Sequence, residues 1–166
     1  MIRKANGQNL RITANGQVGS SFACATETIL GSVTLPSDFL STGAIICVRN
    51  SCAKSGATGV FVVKLYFNTT ASLSGALQLG TYTSGATDRA PNVFRRFVFT
   101  SATQAKGLVS TFSNSSDVGD YLSTVATFTF TNWLVGGGVF FMTGLRSSGT
   151  DTMQLINMSI EVWIQK

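Results

Sequence analysis

The chain has 166 residues, enough for one domain that buries a sizeable core. Hydrophobic residues make up 44% and charged residues only 11%, roughly half the charged share of an average soluble domain, so Ser, Thr, Gly and Asn carry the polarity on a surface cheap to desolvate against other subunits or sugars. The net charge is +5 and histidine is absent, which removes the Ser-His and Cys-His nucleophile pairs, the usual general base and the commonest metal ligand.

In chain order, Met1–Ser20 is short, basic and without a core pattern. Arg3, Lys4 and Arg11 all precede the first acid, Glu27. Three cations over this stretch make a thin patch, so nucleic acid is not the favoured partner; an acidic neighbour or plain solvation accounts for them. The polar run after Met1-Ile2-Arg3-Lys4 has no apolar core, so no secretory signal is expected. No stretch approaches the ~18 apolar residues of a membrane span.

Strand signals then recur, separated by Gly, Ser, Asn and Thr. The expected strands are Asn9–Thr13, Glu27–Leu35, Ala44–Asn50, Val60–Asn68, Leu77–Thr83, Val93–Thr100, Leu122–Thr131, Val139–Gly144 and Met153–Ile164. No segment has helical periodicity, and a single turn is expected at Pro36-Ser37-Asp38-Phe39-Leu40. In the last strand Ile156, Met158, Ile160, Val162 and Ile164 share one face, with Trp163 on the other. Other strands are apolar on both faces: Val60 and Val62 lie outside Phe61, Val63, Leu65 and Phe67, and Arg95, Arg96 and Phe97 divide Arg and aromatic residues between two faces. Ile45 to Val48 and Val139 to Met142 behave alike. An isolated sandwich leaves one face of each sheet wet. These strands therefore predict a second cover, by other copies of the chain in a homo-oligomer, a trimer foremost, with loops folded over the sheet as the alternative. The interface residues expected are Val60, Val62, Arg95, Phe97 and Trp163.

Cys24, Cys47 and Cys52 are an odd set. Three reduced thiols are expected, although Cys47 and Cys52 flank what reads as a polar turn, Arg49-Asn50-Ser51, that would let them approach. Three Cys without His do not close a zinc site, and no metal or cofactor is expected. Asp117 and Asp120 have the spacing of a carboxylate pair or weak calcium ligands, but Asp and Gly here read as a turn. Gly136-Gly137-Gly138 opens no helix, so it is a turn rather than a phosphate cradle. No catalytic residue emerges. Tyr66, Tyr82, Tyr121, Trp133 and Trp163 are the aromatic candidates for stacking on sugar rings or at subunit contacts.

One pattern runs Glu27-Thr28-Ile29-Leu30, Val33-Thr34-Leu35-Pro36-Ser37-Asp38-Phe39-Leu40, Gly43, Lys54-Ser55-Gly56, Val63-Lys64-Leu65-Tyr66-Phe67-Asn68-Thr69, Ser72-Leu73-Ser74-Gly75-Ala76, Thr131-Asn132-Trp133, Asp151 and Ile160-Glu161-Val162. It resembles the jelly-roll domains of bacteriophage virion appendages: head fibres, tail fibres and capsid decoration proteins. The resemblance implies an all-β, two-sheet antiparallel jelly-roll sandwich over residues 21–166, a homotrimer displayed on the virion after synthesis in the host cytoplasm. Residues 1–20 would be its attachment arm, with Arg3, Lys4 and Arg11 as contacts. It implies a non-enzymatic part whose partners are itself, other virion proteins and a host-surface glycan, with no membrane partner. It also implies that first and last strands lie side by side, here Glu27–Leu35 against Met153–Ile164. A stand-alone carbohydrate-binding sandwich and an icosahedral capsid jelly roll are the alternatives; a hydrolase is disfavoured by the missing histidine.

Overall fold

The computed structural model describes residues 10–14, 21–36, 42–101, 103–109, 111–113, 117–118, 124–129 and 137–163. They form twelve strands: β1 (Leu10–Ala14), β2 (Thr28–Leu35), β3 (Ile45–Lys54), β4 (Val60–Asn68), β5 (Leu77–Thr83), β6 (Asn92–Phe99), β7 (Gln104–Val109), β8 (Thr111–Ser113), β9 (Asp117–Val118), β10 (Thr124–Thr129), β11 (Gly138–Ser148) and β12 (Met153–Trp163). Sheet A has the order β1-β12-β3-β6-β7-β10, with β9 beside β6; sheet B has the order β2-β11-β4-β5-β8. Pairing is antiparallel except for the short contacts β5–β8 and β6–β9. The chain is an all-β sandwich.

Period-two alternation builds the core between the sheets. Sheet B sends in Phe61, Val63, Leu65 and Phe67 from β4 and Phe140 and Met142 from β11. Sheet A sends in Ile46 and Val48 from β3, Phe97 and Phe99 from β6, and Met158, Ile160 and Val162 from β12. Each such side chain contributes on the order of 1.5–3 kcal/mol by leaving water. Phe67 meets Phe140 edge to face, centroids 5.1 Å apart. Gly138 opens β11 because the Phe67 ring occupies the space a Cβ would take there.

Four expectations are corrected. The last strand does not pair with Glu27–Leu35. Both sides of β12 are filled, by β1 and β3, and β2 pairs with β11 in the opposite sheet. Leu10–Ala14, within the stretch expected to be an arm, is the first strand, and this first strand is the one beside the last. Second, Ile156 does not join the inward row: the register shifts between Leu155 and Asn157, and the extra residue is pushed out to 41% exposure. Third, β7, β8 and β9 lie where no strand was expected. Fourth, Arg49-Asn50-Ser51 is no turn but the middle of β3.

Cys47 and Cys52 sit on opposite faces of one extended strand, about 16 Å apart along it, whereas a disulfide needs Cα atoms within roughly 7 Å. Cys24, Cys47 and Cys52 form no disulfide and are all buried. Burial pushes Cys52 up to about 12 and Cys24 up to about 11. The native protein is therefore expected to react with a thiol reagent at neutral pH only slowly, and to release three equivalents once denatured. A rapid native equivalent would contradict this burial.

Candidate functional site

One end of the sandwich is closed by charged side chains. Lys54 ends β3 pointing inward and is 4% exposed. Its Nζ donates to the carbonyls of Gly59 (2.6 Å), Gly85 (2.8 Å) and Ala86 (2.8 Å), using all three ammonium donors. Asp151, between β11 and β12, accepts from the N–H groups of Thr58 (2.9 Å) and Gly59 (2.6 Å) and from the Thr58 hydroxyl. Asp88 accepts from the Tyr82 hydroxyl and the Gly85 N–H. Arg146 donates to the Asp151 carbonyl. Three loops are thus tied to each other, and Gly56 and Gly59 leave the room that Asp151 occupies. The Gly59 N–H, with Thr58, holds the Asp151 carboxyl below its ordinary value despite burial. Burial draws the Lys54 ammonium down, against the upward pull of Asp151 and Asp88. The hydrogen bonds of this cluster run inward among its own loops, so it holds the fold.

On the outer face of sheet B, Lys64 and Glu27 are paired. Glu27 accepts from Lys64 (3.0 Å), Tyr66 (2.9 Å) and Thr143 (2.8 Å). Tyr66 stacks on Phe141, centroids 5.4 Å apart, and these two pack with Val139, Ile29 and Ala76 in a second small cluster. Ala76 comes from the β4–β5 connection, so here part of the cover over an apolar outer face is the chain's own loop. Burial pushes the Glu27 carboxyl up, but the hydrogen bonds from Lys64, Thr143 and Tyr66 together outweigh it and hold it below its ordinary value. A depressed carboxylate stabilises the fold above its unfolded pKa, and that stability is lost as pH falls through the folded value. Lys64 is raised, first by its bond to Glu27, so its share is present below its ordinary value and is lost only in strong alkali. Urea melts are therefore expected to show wild-type stability dropping below about pH 4, with a flatter acid limb in Glu27→Gln. Parallel acid limbs would contradict the network.

The outer face of sheet A is basic. Arg49, Arg96 and Lys106 are exposed there. The Arg49 guanidinium lies 5.0 Å from the centroid of the Phe94 ring, a favourable cation–π pairing. Val98 is 39% exposed, and Ile45, Phe94 and Trp163 are half-buried. Arg11 of β1 is in register with Glu161, which faces Cys47, which faces Arg96.

No family model matches this chain, and no curated protein matches it. A solved structure described as the CBM2 module of Lactobacillus casei BL23 phage J-1 evolved Dit is similar to it at 11% identity and a TM-score of 0.40, covering 99% of this chain and 94% of that one.

The expected interface residues do not form one surface. Val60 and Val62 are half-buried on the outer face of sheet B, Trp163 on that of sheet A. Phe97 is fully buried in the core and Arg95 is 2% exposed, so neither is open to a second copy. Arg95 points inward because Gly80, across in sheet B, has no side chain: a Cβ there would strike the guanidinium. Its Nη1 donates to the Phe94 carbonyl. Of the aromatic candidates, Tyr66 and Tyr82 are buried with their hydroxyls bonded to Glu27 and Asp88. Tyr121 and Trp133 lie outside the described residues, as do Arg3, Lys4, Asp120 and residues 37–40. Asp117 falls in β9. Among the described residues no group of His, Cys, Asp or Glu is placed to hold a metal ion, and no helix is long and apolar enough to cross a membrane. Sequence reasoning missed the Lys54–Asp151–Asp88 closure, whose members are far apart in the chain, and the cations of sheet A, which lie on three different strands.

Proposed function

We propose that this protein is a non-enzymatic structural part of a bacteriophage virion, a jelly roll that decorates the capsid or tail and touches the host surface. The observation that carries the reading is the strand order. The core of sheet A runs β1-β12-β3-β6 and that of sheet B runs β2-β11-β4-β5, so the chain alternates between sheets in the way an eight-stranded double-sheet jelly roll requires. The residues on which the resemblance to phage appendages rests take structural places: Lys54, Gly56 and Asp151 close one end of the sandwich, and Glu27, Lys64 and Tyr66 form the network on sheet B.

Residues 1–9, ahead of β1, serve as the particle attachment, with Arg3 and Lys4 as contacts, and the copies associate as a trimer through the outer face of sheet B around Val60 and Val62. Affinity for particle and host then comes from several copies acting together. The stand-alone sugar-binding reading lacks one support it needs, since Tyr66 and Tyr82 are buried. The test is addition of the purified protein to stripped particles, followed by imaging. Regular added density at fixed sites is expected. A protein that leaves particles bare and runs as a monomer in solution would overturn the reading.

A further inference from the structure

The cations of sheet A are arranged in a line. Arg49 on β3 faces Phe94 on β6, Arg96 stands two residues farther along β6, and Lys106 on β7 faces Val98, two residues farther again. The three therefore fall on one diagonal across three adjacent strands, successive Cα atoms about 7–8 Å apart. All three side chains are exposed. Two acids stand at outward register positions here, Glu161 on β12 opposite Cys47 and Asp117 on β9 opposite Asn92, against the three cations of the diagonal. The diagonal crosses apolar ground: Phe94 and Val98 lie directly beside it, and Ile45 is next to Val98 in the same cross-strand row.

We propose that this face binds a linear acidic polysaccharide lying along the Arg49–Arg96–Lys106 diagonal. A row of charges fits an extended chain better than the broad patch a folded partner covers. Arg offers paired N–H donors to carboxylate or sulfate, and the flat aliphatic surface of Val98 and Ile45 suits the C–H faces of sugar rings. Single-stranded nucleic acid needs free aromatic planes for successive bases, and the face of Phe94 is occupied by Arg49. A second copy is disfavoured because two such faces repel. The inference rests on the host-surface part of the reading above and names the ligand class for it.

The test uses immobilised heparin and polygalacturonate as probes, with the full chain and its R49Q/R96Q/K106Q variant. All three substitutions are on exposed side chains, so an unchanged melting temperature is the check on folding. The wild type is expected to bind both probes, with affinity falling as salt rises from about 50 to about 300 mM. The variant is expected to bind on the order of ten- to thirty-fold more weakly. Three results would each overturn the proposal: no binding of either probe at low salt, equal binding by the variant, or tighter binding of an oligothymidylate or polyglutamate than of heparin. The virion reading fails separately. If the variant still decorates stripped particles, that reading stands whatever the polysaccharide result.

Discussion

Replacing Lys54 with methionine is expected to lower the melting temperature by about 6–12 °C. Methionine has a similar length and volume, so packing along the stem is kept and the change falls on the ammonium. Three carbonyls, from Gly59, Gly85 and Ala86, lose their donor together. Removing one partner from a buried charged network costs about 3 kcal/mol or more, because the groups left behind stay desolvated. At this chain length each kcal/mol corresponds to roughly 2–4 °C. Calorimetry checks the value. A fall of less than about 2 °C would mean that water takes over the ammonium's role. Asp151→Asn is expected to act in the same direction but less strongly, since an amide oxygen still accepts from Thr58 and Gly59, and it should also reduce the loss of stability in acid.

Phe97→Ala is expected to cost about 3–5 kcal/mol, as other large-to-small aromatic core replacements do. Phe97 is fully buried and belongs to the main core cluster. It faces Ile46 on β3 and Gly107 on β7, so its neighbours have little freedom to collapse into the space. Val62→Ala is the contrast: Val62 is half-buried on the outer face of sheet B and should shift stability by under about 1 kcal/mol. The pair separates core from contact surface. If Phe97 worked between subunits, its replacement would change the mass in solution at little cost in melting temperature. The core position predicts the reverse, a large fall in melting temperature at unchanged mass.

Strand content was legible wherever a strand has one strongly apolar face. Val60–Asn68 and Leu77–Thr83 have the bounds expected from apolar runs set between turn residues. Gln104–Val109 escaped notice because Ala105 and Gly107 fill its inward positions; small residues facing Phe99 and Phe97 leave no hydrophobic signal. Arg49-Asn50-Ser51 read as a turn because it is polar, yet Asn50 points inward with its amide 3.1 Å from the Met142 sulfur, and Arg49 rests on Phe94. Polarity in a strand interior is tolerated once each group has such a partner, and the partner is remote in sequence. Ile156 fits the inward parity by counting, and only the irregular register opposite Cys52 and Ser51 expels it. Strands apolar on both faces point to other copies of the chain as cover, but around Phe141 part of the cover is the chain's own Ala76. The diagonal of Arg49, Arg96 and Lys106 depends on strand order and register together, so no local pattern announces it.

The seclusion of Cys24, Cys47 and Cys52 has a practical side. For a bioconjugation chemist the folded chain behaves as though it had no thiol. One cysteine placed on an open loop, at Thr70 for instance, could carry a single fluorophore or gold cluster without first deleting the native three, and that marker would report where each copy sits on a larger object.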